Sequence, residues 1–563
     1  MTTARALSLV ALLLPSLLVG GAAQAKKAKK AVPADDKAAW GESDEFNSAI
    51  GSSKSAPANP SQSEVAKPET EAVKPSPSES GAAVPAAVPA AVPPPAEASV
   101  DPDREQIKVG DKDYAVGPQV ATVPPIKSTG NADSPDGVTW KASGWDVTLY
   151  GYAALNVMQD STQSFGTATG NTIIQRRGTI RGNSMQAQAT ARDSRLGMRL
   201  AAPTVGGIKA SVNLETDFNA VPPIEYTEAN SVTNASFRMR QYYMKIETPI
   251  VDILAGQYHD LFGWGGKGFY PSTLNFLGVT GEVYHRQPQI RLSKIAGSGK
   301  AVEFEVAGAV LRPVQKSGGY PDVEGGLRLA FNGWTGARQQ AYGQPGIGAL
   351  AVGVSGIYRH FEVAQFLEFP GGTVPGNGGG VVVNAFIPII PARSSANRAF
   401  SLSGTVEFST GTGIADMYSS DLTGGLQFPA LPNPTGRDSA SFAPPVYTPN
   451  IDPGIVTFDG DNRLRTANWQ GLVVGGQFYL PPGGRWWISG IYSQLDSSNI
   501  VEITPRPGWG GIYKHARYID GSMFVALTSA IQLGVSFSQI DQTLGDGVKT
   551  RNYRTSFAAH MFF

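Results

Sequence analysis

Residues 208–218 read IKASVNLETDF, and in that run Ile208, Ala210, Val212, Leu214, Thr216 and Phe218 alternate with Lys209, Ser211, Asn213, Glu215 and Asp217. A period of two sends successive side chains to opposite faces of an extended chain, so the segment is a strand with one apolar and one polar side. The same alternation runs through 147–158, 400–409, 531–537 and 553–563. In the last of these, Tyr553, Thr555, Phe557, Ala559, Met561 and Phe563 form an apolar face that ends on a terminal aromatic. A soluble sandwich would alternate too, so the connections decide.

Working outward gives sixteen candidate strands: 144–158, 182–201, 207–218, 236–248, 250–259, 284–295, 300–311, 323–333, 347–358, 380–389, 399–409, 467–480, 485–495, 514–527, 530–541 and 551–563. Connections are long at 159–181, 219–235, 260–283, 359–379, 410–466 and 496–513, and short at 202–206, 296–299 and 481–484. Strands of about ten residues with long connections at one end and short ones at the other are the signature of an all-β transmembrane antiparallel barrel. The stretch 332–346 is too long for a turn, which leaves fourteen or eighteen strands open as counts. Closure is required at any count, because a chain in lipid must pair every backbone N–H and C=O internally. Trp145, Tyr150, Tyr152, Trp469, Tyr479, Trp486 and Trp487 fall near strand ends, where an interfacial girdle is expected.

The 563 residues include no Cys, which excludes disulfides, thiolate nucleophiles and Cys-ligated metals. Lys plus Arg and Asp plus Glu are both 46, a balance that argues against a nucleic-acid partner. Residues 1–25 combine Arg5, an apolar run from Ala6 to Val19 and the cleavage pattern Ala23-Gln24-Ala25, which reads as a secretory signal peptide. Residues 26–140 are rich in Pro, Ala, Ser and Glu, with an AAVP repeat, and read as a disordered periplasmic tail. Its Lys26, Lys27, Lys29 and Lys30 offer a contact with cell-wall polymer or anionic lipid. The barrel is then residues 141–563, in the outer membrane.

The segments 149–160 (LYGYAALNVMQD), 191–200 (ARDSRLGMRL), 237–246 (FRMRQYYMKI), 254–263 (LAGQYHDLFG) and 286–293 (RQPQIRLS) give the chain its family likeness. It resembles the Gram-negative porin superfamily, and within it the DcaP-like trimeric outer-membrane porins. The resemblance implies a sixteen-stranded barrel, a homotrimer and passive diffusion of small anionic solutes; clustered arginines in the lumen would suit carboxylates, and no cofactor is expected. It also implies that the loop 260–284 folds into the barrel and narrows it, making Lys267 a constriction candidate. One departure is that 26–136 show no apolar heptads, so the coiled coil that precedes the barrel in that family has no counterpart here.

If the apolar face meets lipid, its neighbours line the pore. Leu196, Met198 and Leu200 outward turn Arg195 and Arg199 inward; Phe237 and Met239 do the same for Arg238 and Arg240, and Ile290 and Leu292 for Arg291. A charge facing lipid at mid-depth costs about 2–4 kcal/mol, which favours the inward set. Arg192 and Arg286 fall on the opposite phase and need a bulge or a position above the membrane. Glu215, Asp217, Glu303, Glu305 and Glu407 are the opposing acids. Residues 141–563 hold 33 Lys and Arg against 29 Asp and Glu, a mild bias toward anions.

Signals for chemistry are weak. His259, His285, His360, His515 and His560 form no i, i+4 pair and no HExxH, so no metal site is expected. Gly297-Ser298-Gly299-Lys300 is followed by Ala301 where a phosphate loop needs Ser or Thr, and reads as a turn. The expectation is a channel and not an enzyme. The alternatives are a structural or adhesive barrel tethered to the cell wall by its tail, and a barrel hydrolase using His259 or His360.

Overall fold

The computed structural model describes residues 137–563, other than 170–171, 221–235, 276–277, 314–318, 340–344, 366–371, 420–453, 460, 462 and 505. The expected signal segment and nearly all of the expected tail lie outside the described residues.

The first strands are β1 (Val138–Ala142), β2 (Trp145–Asp160), β3 (Gln186–Thr190), β4 (Arg195–Ala201), β5 (Lys209–Asp217), β6 (Arg238–Glu247), β7 (Asp252–His259), β8 (Arg286–Ala296) and β9 (Val302–Leu311). They are followed by β10 (Asp322–Arg338), β11 (Gly346–Ala364), β12 (Thr373–Ile390), β13 (Leu402–Thr412), β14 (Val456–Phe458), β15 (Leu464–Thr466) and β16 (Asn468–Leu480). The last are β17 (Trp486–Asp496), β18 (Tyr513–Ala526), β19 (Ile531–Leu544) and β20 (Lys549–Phe562).

β14 and β15 make a separate hairpin. The others form sixteen columns, because two columns are each made of two pieces. β3 and β4 lie end to end along β2. β1 prolongs the line of β20: Phe563 exchanges backbone bonds with Gly151, and Val138 resumes opposite Leu149. Each column pairs antiparallel with its sequence neighbour, and β2 pairs with β20 to close the barrel. The expected sixteen-stranded all-β barrel is what forms.

The wall inverts the order of a soluble protein. On β11, β12 and β13, Val352, Val354, Val381, Val383 and Phe408 face out and are exposed, whereas Ser355, Asn384 and Glu407 face in and are buried. Apolar atoms outside and polar atoms inside are stable only where the outside is lipid.

Four expectations need correction. The 332–346 stretch is mostly strand: β10 runs on to Arg338, with the slip between Phe331 and Thr335 leaving Asn332, Gly333 and Trp334 unpaired with β11. A bulge breaks the period of two, which is why this part of the strand reads as loop. β12 starts at Thr373 instead of 380, since Gly376, Gly378, Gly379 and Gly380 supply no alternation to read. The expected strand 182–201 is interrupted, with a helical turn at Ile180–Asn183 and a break at 191–194. Tyr150, Tyr152, Trp469, Tyr479 and Trp487 are buried inside the barrel, on the inward phase, and only Trp145 of the named girdle is well exposed.

Within the barrel the segment between β7 and β8 crosses from wall to wall. Its Leu261, Trp264 and Phe269 pack on Ala307, Ala330, Ala351 and Phe386, while Leu274 packs among Tyr479, Trp487 and Phe524. Phe262 and Val283 join a larger apolar cluster with Ile357, Phe361, Met417, Tyr418, Ile455 and Trp469. One side of the interior, along β10–β13 and β16–β19, is therefore a packed core.

Val383→Arg, at the middle of an outward face, is expected to lower folding stability in lipid vesicles by about 2–4 kcal/mol. Urea-induced unfolding in vesicles measures it, and a loss below about 0.5 kcal/mol would show that this face is not in lipid.

Candidate functional site

The opposite side of the interior, along β2–β8 and β20, gathers a cluster of arginines, including Arg195, Arg240, Arg291 and Arg554. Its geometry starts from a bulge. The apolar residues of β6 shift phase from Phe237 and Met239 to Tyr242, Met244 and Ile246, and the ladder with β5 slips between Glu215 and Thr216. Arg240 is the extra residue, so Arg238, Arg240 and Gln241 all turn toward the acids of β5.

Five predicted site residues meet there. Asp217 Oδ1 and Oδ2 accept from Arg238 Nε at 2.9 Å and Nη2 at 2.6 Å. Arg240 donates Nε to Glu215 at 2.7 Å, Nη1 to Asp217 at 3.0 Å and Nη2 to the Tyr284 hydroxyl at 3.0 Å. Arg195 Nε lies 3.5 Å from the same Glu215 carboxylate, and its guanidinium stands 5.3 Å from the Tyr152 ring centroid. Three guanidiniums around two carboxylates leave one excess positive charge, held in place by bidentate geometry. Arg199 and Arg291 lie outside this knot, over the rings of Tyr150 at 4.4 Å and Tyr258 at 5.3 Å. Facing a cation to an aromatic ring partly replaces its lost hydration.

Lys267 lies elsewhere. Its ammonium donates to Glu305 at 2.8 Å, and the other oxygen of Glu305 accepts from Arg328 at 2.9 Å. Burial holds that ammonium below its ordinary pKa even though Glu305 pulls the other way. Glu407 accepts from the Val283 N–H and from Asn384, and Glu303 from the Gly299 N–H of a turn, so neither faces the arginine knot.

Beside the knot is a cavity of ≈ 550 Å³ whose charged lining is Arg192, Arg238, Arg286 and Arg554 with Asp193, and His285 also borders it. Of the predicted residues only Arg238 borders it. Arg192 and Arg286, which alternation admits to the interior only through a bulge or a position above the membrane, also border it. The break at 191–194 lets Arg192 turn to donate to the carbonyls of Phe218 and Ala220, and Arg286, at the end of its strand, folds over the Tyr284 ring at 5.3 Å. Arg554 was legible: it alternates with Tyr553 and Thr555, and it pairs with Asp160 at 2.9 and 2.7 Å.

The far side of the cavity is the crossing segment, and its anchors fix the cavity's width. Gly263 N–H donates to Ser355 at 2.8 Å, Trp264 Nε1 to the Val354 carbonyl at 3.0 Å, and the Leu261 N–H to Glu324 at 2.7 Å. At the opposite wall Thr273 donates to Asp520, Asn275 to Ser538, and Ser489 to the Ser272 carbonyl. A second lumenal piece, the turn Ala415–Met417, is held by Arg359, which is buried between Asp322 at 3.0 Å and Asp416 at 2.5 Å. Burial alone would raise the Asp416 pKa, but Arg359 more than offsets that and leaves it low.

No protein-family model and no curated protein matches the chain. Among solved structures, the outer membrane channel DcaP of Acinetobacter baumannii is similar with a TM-score of 0.53 and 16% identity, over 76% of this chain and 99% of that one. OmpF of Salmonella typhi in complex with daunomycin has a TM-score of 0.43 and 10% identity, over 76% of this chain and all of that one, 100%. An anion-selective porin from Comamonas acidovorans has a TM-score of 0.40 and 11% identity, over 74% of this chain and 100% of that one. At such identities the first likeness is one of fold, and function must come from the site.

Gly353 has no side chain because Trp264 occupies its place: a Cβ there would meet Trp264 Cδ1 at 2.6 Å. Gly353→Ala is accordingly expected to cost about 1–3 kcal/mol by displacing a rigid ring, read as a lower thermal unfolding midpoint. An unchanged midpoint would mean that the crossing segment is not wedged on this wall.

Proposed function

We propose that the chain is an outer-membrane diffusion channel for small hydrophilic solutes, with anions favoured, and that it has no catalytic activity. The observation that carries this reading is the cavity on the charged side of the barrel, bordered by four arginines against a single aspartate. Arg238 and Arg554 are each balanced by a carboxylate, but Arg192 is held by carbonyl oxygens and Arg286 by an aromatic ring, so two positive charges face the cavity with no acid paired to them among the described residues. A narrow polar passage with fixed guanidiniums lowers the barrier to carboxylates and phosphates and raises it to cations. The pore-lining role belongs to Arg238 with Arg192, Arg286 and Arg554, while Arg195, Arg199, Arg240, Arg291, Glu215 and Asp217 set the field behind them. Lys267 secures the crossing segment.

The assembly we infer is a homotrimer. β5, β6 and β7, at 9, 10 and 8 residues, are far shorter than β10, β11 and β12 at 17, 19 and 18. They carry exposed Met239 and Met244, with Phe237 66% exposed just beyond, so this low apolar wall is where another copy packs and the tall wall is where lipid does. Residues 1–25 act as the export signal and 26–140 as a periplasmic tail. The packed half of the interior favours one other reading, a barrel with a blocked lumen that tethers the outer membrane to the cell wall.

Planar-bilayer recording separates the two. Conductance in steps of three, with a reversal potential in a salt gradient on the anion side, is expected of the wild type. Arg238→Ala with Arg240→Ala leaves Glu215 and Asp217 with Arg195 alone and is expected to shift that potential toward cations by about 10 mV or more, given field strengths of several kT near such clusters. An unchanged reversal potential would remove these residues from the conducting path, and a folded barrel with no conductance would leave the tethering role.

A further inference from the structure

The outer surface of β17–β20 is layered at the end that carries the long connections. Reading across paired residues, the row nearest the rim is Asp496, His515, Thr543 and Lys549, and the next is Gln494, Arg517, Asp541 and Arg551. Below come Tyr492, Ile519, Gln539 and Tyr553, then Phe537 with Thr555, then Ile488, Met523, Val535 and Phe557. These rows share the phase of the apolar outer face, so the charged residues among them point away from the lumen.

A change from aliphatic through aromatic to basic marks where hydrocarbon gives way to headgroups. Phe537 and Tyr553 stack at 5.8 Å and mark the boundary. Directly above, Asp541 binds two arginines: Arg517 Nη2 at 2.5 Å on one oxygen and Arg551 Nε on the other, with Gln539 donating at 2.7 Å. That carboxylate is saturated, Arg551 also donates Nη1 to the Tyr553 hydroxyl at 3.3 Å, and the two arginine side chains remain 37% and 48% exposed. Lys549 is exposed one row higher. A groove of ≈ 400 Å³ runs between these groups and is bordered by His515, Arg517, Asp541, Thr543, Lys549 and Arg551.

We propose that this groove binds the phosphorylated headgroup of an outer-leaflet glycolipid, its phosphate on Arg517, Arg551 and Lys549 and its acyl chains along Tyr553, Phe537, Val535 and Phe557. Two arginines sharing one aspartate make a site with excess positive charge at headgroup depth, continuous with an apolar face below it. A soluble anion would use only the upper rows; a lipid uses all of them. The inference rests on the outer-membrane placement argued above and not on conduction.

The test is lipid retained by the full-length protein purified in mild detergent, quantified by mass spectrometry and by titration with bis-phosphorylated lipid A micelles. Wild type is expected to retain the phosphorylated lipid, and R517Q with R551Q to bind it about tenfold or more weakly. R517K with R551K is expected to restore part of the binding, and dephosphorylated lipid A to bind wild type as weakly as the Gln variant binds the phosphorylated form. Bilayer conductance equal to wild type shows that the Gln variant is folded. Equal binding by wild type and the Gln variant, or equal binding of the two lipids, would overturn the proposal. Loss of conduction with lipid retained would count against the channel reading alone, and recovery of the protein in the inner-membrane fraction would remove the basis of both.

Discussion

The pairing of β2 with β20 is the interaction on which everything else depends. It joins the two ends of the described wall through nine residue pairs, from Tyr152 with Phe562 to Asp160 with Arg554. Without it two columns would expose unpaired N–H and C=O groups to hydrocarbon, at several kcal/mol each. The Asp160 carboxylate takes both Arg554 and Asn552 at one end of the seam, and the backbone exchange of Gly151 with Phe563 closes the other. Once that register is set, the period of two dictates which side chains face lipid and which face the interior all the way round the barrel.

The interior that results is divided by the segment between β7 and β8. Small wall residues admit its aromatic side chains on one side, and hydroxyl and amide groups hold it on the other. Polar groups buried in a barrel must find partners as in any protein core, and here the guanidiniums find carboxylates, carbonyls and tyrosine rings. Arg192, held by carbonyl oxygens, and Arg286, over a tyrosine ring, border the cavity. The proposed anion preference therefore comes from how the arginines are paired. The small charge excess of the barrel as a whole contributes little.

Strand identity and the lipid-facing phase were legible because alternation is imposed by the lipid itself. It is clear at 208–218 and 553–563, and it placed Arg195, Arg240 and Arg291 on buried inward positions, with Arg238 half-buried beside them. What failed were the places where the period slips. The β6 bulge is written in the sequence as the shift from Met239 to Tyr242, but the phase assigned at Phe237 and Met239 does not extend past it. The slip at 332–334 hid the end of β10, the glycines of 376–380 hid the start of β12, and the break at 191–194 left the side taken by Arg192 open. Tyr150, Tyr152 and Trp487 were assigned to a girdle because closeness to a strand end was weighed above phase. Which charges pair across strands, such as Arg359 with Asp416, follows from loop placement, and no local pattern encodes that.

The central claim is that the conducting path runs through the arginine-bordered side of the barrel while the other side is solid. Because the chain has no cysteine, single substitutions report on it without background. The decisive measurement is single-channel current during addition of a charged thiol reagent to Asn156→Cys, on the cavity wall, and to Val473→Cys, inside the packed half. The account predicts a stepwise fall in current for the first and none for the second. Block at Val473→Cys, or undiminished current at Asn156→Cys, would contradict it.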